Sequence, residues 1–365
     1  MPTVRDLVFA IDAQYPLARA ESWDRVGLQI GDENATVKRV LVAHEMTHAV
    51  LDEAIGCDAL VVYHPPIFRA LENLDFKNHT VKLASRCIAQ GLHVVAAHTA
   101  LDNANPPYAL GDALAQQLEF KNVEVLKPSG RESLWKIVVF VPDEALAKVR
   151  EALWQAGAGE IGNYDRASFR SRGIGTFRPR EGANPQTGHI GRDETVEEWR
   201  LECIVSQIKR DAAVRAMIQA HPYESVAHDI YPLHNSLSPF GAARLGKIAA
   251  TPLDIFASKL GVLLGAPNVR IVRAGKHVSR VACVPGSGAS FIGAAARAGC
   301  DCLISGDFKH HDALQALALG LSLIDVTHVA TERAAIAMLA QALENLDVKI
   351  VHSAIDTNPL VAVKP

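Results

Sequence analysis

Short apolar runs that end abruptly in a histidine constrain the fold of this chain more than any other feature. Three of them lie early in the sequence, at Val40–Ala43, Ala59–Val62 and Val94–Ala97. Apolar runs of this length, alternating with amphipathic stretches, are typical of buried parallel strands joined by crossover helices. We therefore predict an α/β protein with these histidines at the carboxyl ends of its strands, where open α/β sheets hold ligands.

The same pattern returns between Asp301 and Arg333, where two more apolar runs end in acid and histidine. Cys302–Ser305 runs into Gly306, Asp307, Lys309, His310 and His311. Leu323–Val326 runs into Thr327, His328 and, four residues later, Glu332. We expect this stretch to supply half of a metal site and the N-terminal third of the chain to supply the rest.

The middle of the chain has a different pattern and predicts an inserted ferredoxin-like α+β domain. Its elements follow the order of a split βαβ: strands at Trp135–Val141, Glu160–Phe169, Gly173–Pro179, Glu198–Val205 and Ser225–Tyr231, with helices at Pro142–Ala156 and Asp211–Ala220. The predicted domains are residues 1–130, 131–234 and 235–365. The first and last are two similar α/β segments whose mixed, mainly parallel sheets pack together to carry the metal site.

Composition excludes several classes of protein. Of the 365 residues, 49% are hydrophobic and 21% are charged, and the formal net charge of −3 does not indicate a nucleic-acid or membrane partner. The N-terminal segment lacks the basic region of a signal peptide, and no apolar run approaches a bilayer span. The six cysteines are scattered without a CxxC motif, which favours reduced thiols in a cytoplasmic protein.

Donor residues at the predicted strand ends match what a divalent ion binds. His64, His98 and Asp102 in the first segment, with His328 and Glu332 in the third, offer imidazole and carboxylate groups. Glu332 lies four residues after His328, so a helix would place both side chains on one side, and a carboxylate there could bridge two ions. The alternative is that strand-end histidines cap helices or bind loop carbonyls.

Weaker signals near the third segment are each compatible with two roles. Gly286-Ser287-Gly288 could bind a phosphate at a helix N-terminus or could be a tight structural turn. Phe291 stands where a dinucleotide-binding fingerprint would have its third glycine. Lys309, His310 and His311 could contact an anionic substrate or move protons, although polar helix starts often have this composition.

Six separated motifs resemble those of the NIF-three-like family, whose members are often labelled GTP cyclohydrolase 1 type 2. They are Ser22–Gly31, Tyr63–Phe68, His98–Asp102, Ser305–His311, Thr327–Arg333 and Asp356–Pro359. The middle segment resembles the PII-like or CutA-like insertion of the longer members, with its motifs at Gly157–Tyr164 and Gly175–Pro179.

The resemblance implies a homohexamer with a dinuclear metal centre in each subunit. It implies that His64 and Asp102 bind one ion, that His328 binds the other, and that Glu332 bridges them. Many bacterial members have a metal-binding histidine at the position of Tyr63, whose neutral phenol is a poor ligand. We therefore expect one or two ions (Zn, Mn or Fe) per subunit, with Tyr63, His98, Asp307, His310 and His311 lining the site.

Two functions are compatible with these residues and this resemblance. The first is a metal-dependent hydrolase of a nucleotide or phosphoester, in which an ion lowers the pKa of a water molecule and His98, His310 or His311 gives acid–base help. The family label suggests GTP as the substrate. The second is a non-catalytic, metal-binding hexameric scaffold or regulator whose PII-like insertion senses a ligand.

Overall fold

The structure is a computed structural model that describes residues 1–162, 164–266 and 268–360, with only the backbone of residues 236–238. Two compact units divide the chain. The first is discontinuous and comprises Met1–Gly130 and Pro239–Pro365, and the second, the middle unit, comprises Arg131–Ser238. None of the described helices is long and apolar enough to cross a membrane.

The described strands, in chain order, are β1 (Gly27–Ile30), β2 (Arg39–Ala43), β3 (Ala59–Val62), β4 (His93–Ala96), β5 (Lys121–Val125), β6 (Gly130–Val141), β7 (Phe169–Phe177), β8 (Glu194–Ser206), β9 (His228–Phe240), β10 (Arg244–Pro252), β11 (Arg270–Val272), β12 (His277–Ser287), β13 (Cys302–Gly306), β14 (Ser322–Asp325) and β15 (Lys349–His352).

The described α-helices are α1 (Val4–Gln14), α2 (His48–Glu53), α3 (His79–Gln90), α4 (His98–Asp102), α5 (Leu110–Gln117), α6 (Leu146–Gln155), α7 (Gln207–Ala220), α8 (Leu253–Leu263), α9 (Ile292–Arg297), α10 (His310–Ala318), α11 (His328–Glu332) and α12 (Ala334–Leu343). Short 3₁₀ turns lie at Leu17–Arg19, Asp143–Ala145 and Ala289–Phe291.

The first sheet of the discontinuous unit has the order β1-β4-β3-β2-β15. β15, β2, β3 and β4 are parallel, and β1 is antiparallel to β4. Its central strands are buried on both faces. Val40 and Val61 pack with α1 and α12 on one face, while Leu41 and Leu60 pack with α2 and α3 on the other. Continuous apolar runs form these strands because neither face meets water.

The second sheet has the order β11-β14-β13-β12-β10-β5 and combines both strand directions. β12, β13 and β14 are parallel, while β10 pairs antiparallel with β12 and β5, and β11 pairs antiparallel with β14. α5 and α8 cover one face of this sheet, and α9 and α10 cover the other. The predicted mixed α/β class, with mainly parallel central strands, is confirmed.

Each sheet takes one strand from the opposite part of the sequence. β5, from the first segment, pairs with β10 of the second sheet. β15, the last of the described strands, pairs with β2 of the first sheet. The two sheets therefore do not correspond one to one with the two sequence segments, because each segment completes the other's sheet.

The middle unit contains a four-stranded sheet with the order β7-β8-β6-β9 and the helices α6 and α7. β8 pairs antiparallel with both β6 and β7. The strand predicted at Glu160–Phe169 is wrong, since among the described residues of that stretch Ile161 and Tyr164 form only an isolated bridge and the strand begins at Phe169. Asn163, within the Gly157–Tyr164 motif, lies outside the described residues.

Candidate metal centre

Three neighbouring strands of the first sheet direct histidines to one edge. β2 ends before His44, β3 ends before Tyr63 and His64, and β4 ends shortly before His98. Ala43, Val62 and Ala96 are register partners across these strands, so the residues that follow them emerge side by side. The parallel direction of the strands therefore brings side chains from three distant parts of the sequence together.

The second sheet supplies the remaining donors through the short helix α11. His328 and Glu332 are its first and last residues, which places them one helical turn apart. Two glycines leave the space that Glu332 and His328 need. A Cβ on Gly286, whose φ is +68°, would lie 2.4 Å from Glu332 Oε1, and a Cβ on Gly306 would lie 2.5 Å from the backbone nitrogen of His328. Gly286 thus makes room for the carboxylate.

One carboxylate oxygen, Glu332 Oε2, lies at the centre of the cluster. It is 2.9 Å from His44 Nε2, 3.1 Å from His328 Nε2 and 3.6 Å from His64 Nε2. His44 and Glu332 are each buried, with 4% and 3% of their surface exposed. Three imidazole nitrogens from three different elements therefore surround a single buried oxygen.

The other ring nitrogen of two of these histidines faces a carboxylate. His64 Nδ1 lies 3.1 Å from Glu45 Oε1, and His328 Nδ1 lies 2.7 Å from Asp307 Oδ2. A carboxylate beside Nδ1 favours a proton there and leaves the Nε2 lone pair free to bind a metal. These partner carboxylates therefore orient both rings toward Glu332.

Electrostatics keep Glu332 ionised despite its burial. Burial raises the pKa of its carboxyl, but hydrogen bonds from His328 and His44 outweigh that effect and lower the pKa to about 2. Burial lowers the pKa of His328, and hydrogen bonds with Glu332 and Asp307 more than compensate and raise it to about 9. The pKa of His64 is lowered, mainly by burial. The cluster thus combines a fixed negative charge with neutral and cationic imidazoles.

This donor set fits a divalent cation. The donor atoms of His44, His64 and Glu332 all lie within 4.8 Å of one another. Ligands at about 2.0–2.1 Å from a tetrahedral zinc ion are roughly 3.3 Å apart, close to the separations around Glu332 Oε2. His64 is the ring whose pKa is lowered, and a proton on its Nδ1 beside Glu45 leaves the Nε2 lone pair facing Glu332 Oε2, a repulsion that a cation between the two atoms would remove. The protein therefore has a potential metal-binding site at these three residues.

Asp102, a predicted ligand, lies in the same cavity but has a different partner. It is the last residue of α4, and its Oδ1 accepts a hydrogen bond of 2.8 Å from the Tyr63 hydroxyl. Burial raises the pKa of Asp102 to about 7 and holds the pKa of Tyr63 well above its usual value. Tyr63 is therefore a neutral donor to Asp102.

The remaining predicted residues have separate positions. His98 lines the cavity, and its Nδ1 lies 2.9 Å from Asp24 Oδ1. Asp307 accepts from His328 and adopts a positive φ of 61°. His310 and His311 are exposed at the start of α10 and are not among the described residues that line the cavity.

None of His44, Glu45 and Asp24 is predicted from the sequence as a site residue, although the histidine after Val40–Ala43 is predicted at a strand end. His44 follows β2 as His64 follows β3, so its place at a strand end was the available signal. Asp24 lies in the turn-rich segment before β1, and no pattern there indicates that its carboxylate reaches His98 from 74 residues away.

A cavity of about 650 Å³ opens above the cluster. Tyr63, His64, His98, Asp102, His328 and Glu332 line one part of it. Lys127, Ser129, Ser287, Ser290 and Phe291 line another part, with Trp23 at the side. Among the described residues that line the cavity, Lys127 is the only lysine or arginine.

Comparisons with known proteins agree with this architecture. The family model described as Duf34/NIF3 (NGG1p interacting factor 3) matches residues 2–359. A protein of Halalkalibacterium halodurans named "GTP cyclohydrolase 1 type 2 homolog" is 37% identical over 358 residues, which cover 95% of each chain. A Bacillus subtilis protein of the same name is 40% identical over 319 residues, covering 86% of this chain and 85% of the relative.

Solved structures are similar over the full length. A Bacillus cereus protein described as related to NIF3 superimposes with a TM-score of 0.88 at 35% identity, over 99% of both chains. The Staphylococcus aureus protein SA1388 superimposes with a TM-score of 0.72 at 27% identity, again over 99% of both chains.

Proposed function

This chain belongs to the Duf34/NIF3 family, and from that premise we propose that it is a metal-dependent hydrolase of a nucleotide or phosphoester. The observation that carries the proposal is the convergence of three imidazole Nε2 atoms on Glu332 Oε2 beside the cavity. A buried, ionised carboxylate surrounded by imidazoles is a typical environment for a catalytic divalent ion.

Zinc, manganese or iron would be held by His44, His64 and Glu332, with His328 and Asp102 as further candidates. When bound, such an ion acts as a Lewis acid and lowers the pKa of a water molecule. Glu45 and Asp307 orient His64 and His328, and the Gly286 backbone leaves room for Glu332.

His98 is the side chain best placed to move a proton. Asp24 accepts from the Thr99 backbone nitrogen at 3.1 Å and from His98 Nδ1 at 2.9 Å, so it fixes both the start of α4 and the imidazole. Burial lowers the pKa of His98, but Asp24 outweighs it and raises that pKa. His98 can therefore hold a proton and deliver it to a leaving group in the cavity.

The residues that line the cavity would suit an anionic substrate with a planar ring. Lys127 provides a cation, and Ser129, Ser287 and Ser290 provide hydroxyl donors. The Trp23 side chain is 53% exposed and lies with its ring centroid 5.7 Å from Phe68 and 6.0 Å from His98, which leaves an aromatic face available for stacking. The name of the relatives suggests GTP as the first substrate to test.

The test uses purified full-length protein and Glu332→Gln. Chelator-treated protein is reconstituted with Zn²⁺, Mn²⁺ or Fe²⁺, bound metal is counted, and hydrolysis of GTP, other nucleotides and simple phosphoesters is measured. Mass analysis distinguishes opening of the guanine ring from phosphate release. Activity that requires metal and is lost in Glu332→Gln supports the proposal, whereas metal binding without hydrolysis of any of these compounds contradicts it.

The second candidate function is a non-catalytic metal-binding scaffold, and one observation favours it. The middle unit, which we interpret as a ferredoxin-like, PII-like insertion, has its own cavity of about 480 Å³ lined by Phe140, Phe177, Tyr223, Arg178 and Arg180. A scaffold that senses a ligand there needs no turnover. Ligand screening of the Phe177→Ala and Tyr223→Ala variants by thermal shift would test this function.

Two further expectations belong to the same proposal. We propose a homohexamer, as the family resemblance implies, and light scattering of the purified protein tests it. We also propose a cytoplasmic location, which the six free, buried cysteines support because unpaired thiols persist in reducing compartments.

A further inference from the structure

His44 and Tyr63 are neighbours at the ends of two paired strands. They follow paired positions of two parallel strands, Ala43 of β2 and Val62 of β3. The backbone nitrogen of His64 donates to the carbonyl of His44 at 3.0 Å, which locks the two strand ends together. The rings of His44 and Tyr63 stack with centroids 5.5 Å apart and planes 22° apart. Both side chains are buried.

Only one of these two side chains faces the metal cluster. His44 directs Nε2 to Glu332 Oε2 at 2.9 Å. The Tyr63 hydroxyl donates to Asp102 Oδ1 at 2.8 Å. The hydroxyl proton of Tyr63 is therefore held by Asp102, and the neutral phenol that results is a poor metal ligand.

The second nitrogen of His44 gives an independent indication. Its Nδ1 is buried and has no hydrogen-bond partner among the described residues. A buried ring nitrogen without a hydrogen-bond partner destabilises the fold, so it requires a reason. The nearest carboxylate is Glu45, whose Oε1 lies 3.8 Å away and also faces His64 Nδ1. If His44 Nε2 binds a cation, the ring proton lies on Nδ1, and Glu45 is the neighbouring carboxylate, as it is for His64 Nδ1.

We infer that His44 is the metal ligand at this pair of strand ends and that Tyr63 is not a ligand. In this exchange, a donor that the family resemblance assigns to position 63 is supplied instead by the neighbouring strand, and the phenol at position 63 fixes Asp102. The inference rests on the metal binding in the proposed function, although it does not require turnover.

Metal counting on four variants tests the exchange. Chelator-treated full-length protein is titrated with Co²⁺, and bound metal and the visible absorption of the ion are measured. We expect His44→Ala to weaken binding by about 100-fold or more, because loss of an outer carboxylate partner alone costs about 10–100-fold. Tyr63→Phe should keep the metal count and an affinity within about tenfold of the wild type.

The double variant His44→Ala/Tyr63→His then asks whether the ligand can return to position 63. Recovery of the wild-type metal count supports the exchange, and so does a Co²⁺ spectrum with the same number of nitrogen donors. The exposed His48→Ala is the matched control and should bind as the wild type does. If His44→Ala is poorly folded by circular dichroism, His44→Asn replaces it.

Three outcomes would overturn the inference. These are unchanged Co²⁺ binding in His44→Ala or His44→Asn, loss of binding in Tyr63→Phe, and a double variant that binds no better than His44→Ala while remaining folded. Failure of the hydrolase proposal is distinguishable, because it would appear as normal metal counts without turnover.

Discussion

Two short helices of the discontinuous unit have the same design and different partners. α4 (His98–Asp102) follows β4, and α11 (His328–Glu332) follows β14. Each begins with a histidine and ends, one turn later, with a carboxylate, and each start carries a positive φ, 32° at His98 and 72° at Thr327. The two sheets therefore present the same histidine–carboxylate turn toward one cavity.

The partners decide what each turn can do. Glu332 of α11 is surrounded by imidazole nitrogens, which a cation can share with it. Asp102 of α4 accepts a hydrogen bond from the Tyr63 hydroxyl, and the histidine of the same turn is held by Asp24. In the proposed function the same local motif would therefore serve as a metal ligand in α11 and as a proton-transfer group in α4, because their neighbours differ.

The largest expected difference is between the two carboxylates. Glu332→Gln removes the central negative charge and should weaken Zn²⁺ or Co²⁺ binding by well over about 100-fold, whereas Asp102→Asn should weaken it by only about tenfold. Calorimetric titration of the chelator-treated protein measures both, with exposed Glu344→Gln as the control. If both variants lose the same metal affinity, Asp102 is a ligand equivalent to Glu332, and the proposed difference between the two helices is wrong.

The carboxylates that hold the two histidines give the next contrast. Asp307→Asn should reduce metal affinity by about 10–100-fold, because Asp307 orients His328. Asp24→Asn should leave metal affinity nearly unchanged and lower turnover by about 100-fold or more through His98. Parallel measurement of the metal dissociation constant and of kcat separates the two effects, and a metal defect in Asp24→Asn would contradict the assignment.

A smaller effect is expected on the opposite wall of the cavity. Lys127→Ala should raise KM for a phosphorylated substrate about tenfold while kcat changes little, because the lost contact is made equally in the bound ground state and transition state. Steady-state kinetics measure this, and Lys121→Ala, an exposed lysine that does not line the cavity, is the control. An unchanged KM would remove Lys127 from the substrate site.

The smallest effect concerns pH and the metal-free protein. The pKa of His328 is raised from 6.5 to about 9, so its protonated form stabilises the fold fully below pH 6.5 and that contribution is lost as pH rises through about 9. We expect the Tm of chelator-treated protein to fall by about a few degrees over this window. His328→Gln should remove this decrease of Tm with pH, whereas the exposed His310→Gln should keep it. Equal Tm profiles for the two variants would refute the link between His328 protonation and stability.

Much of this organisation could be predicted from sequence, and particular residues explain why. Buried parallel strands need continuous apolar runs, so β2, β3, β13 and β14 were recognisable, and so were His64, His328 and Glu332 shortly after such runs. The sequence also predicted the mixed α/β class, because alternation of strands and helices is a local pattern.

Long-range partners could not be predicted in the same way. That β15 pairs with β2, or that Asp24 reaches His98, depends on how distant segments pack and not on any local pattern. The direction of a side chain has the same origin. His44 and Tyr63 both follow strands, and only the structure distinguishes the ring that faces Glu332 from the hydroxyl that faces Asp102.

The separation of the cluster along the chain sets the order of events during synthesis. His44 and Glu332 are 288 residues apart, and β2, which carries His44, pairs with β15, the last of the described strands. A chain still emerging from the ribosome has its early histidines in place long before the carboxylate that completes the cluster. If the proposed metal site is correct, loading can follow only after Glu332, 288 residues beyond His44, has been synthesised and packed against the first sheet.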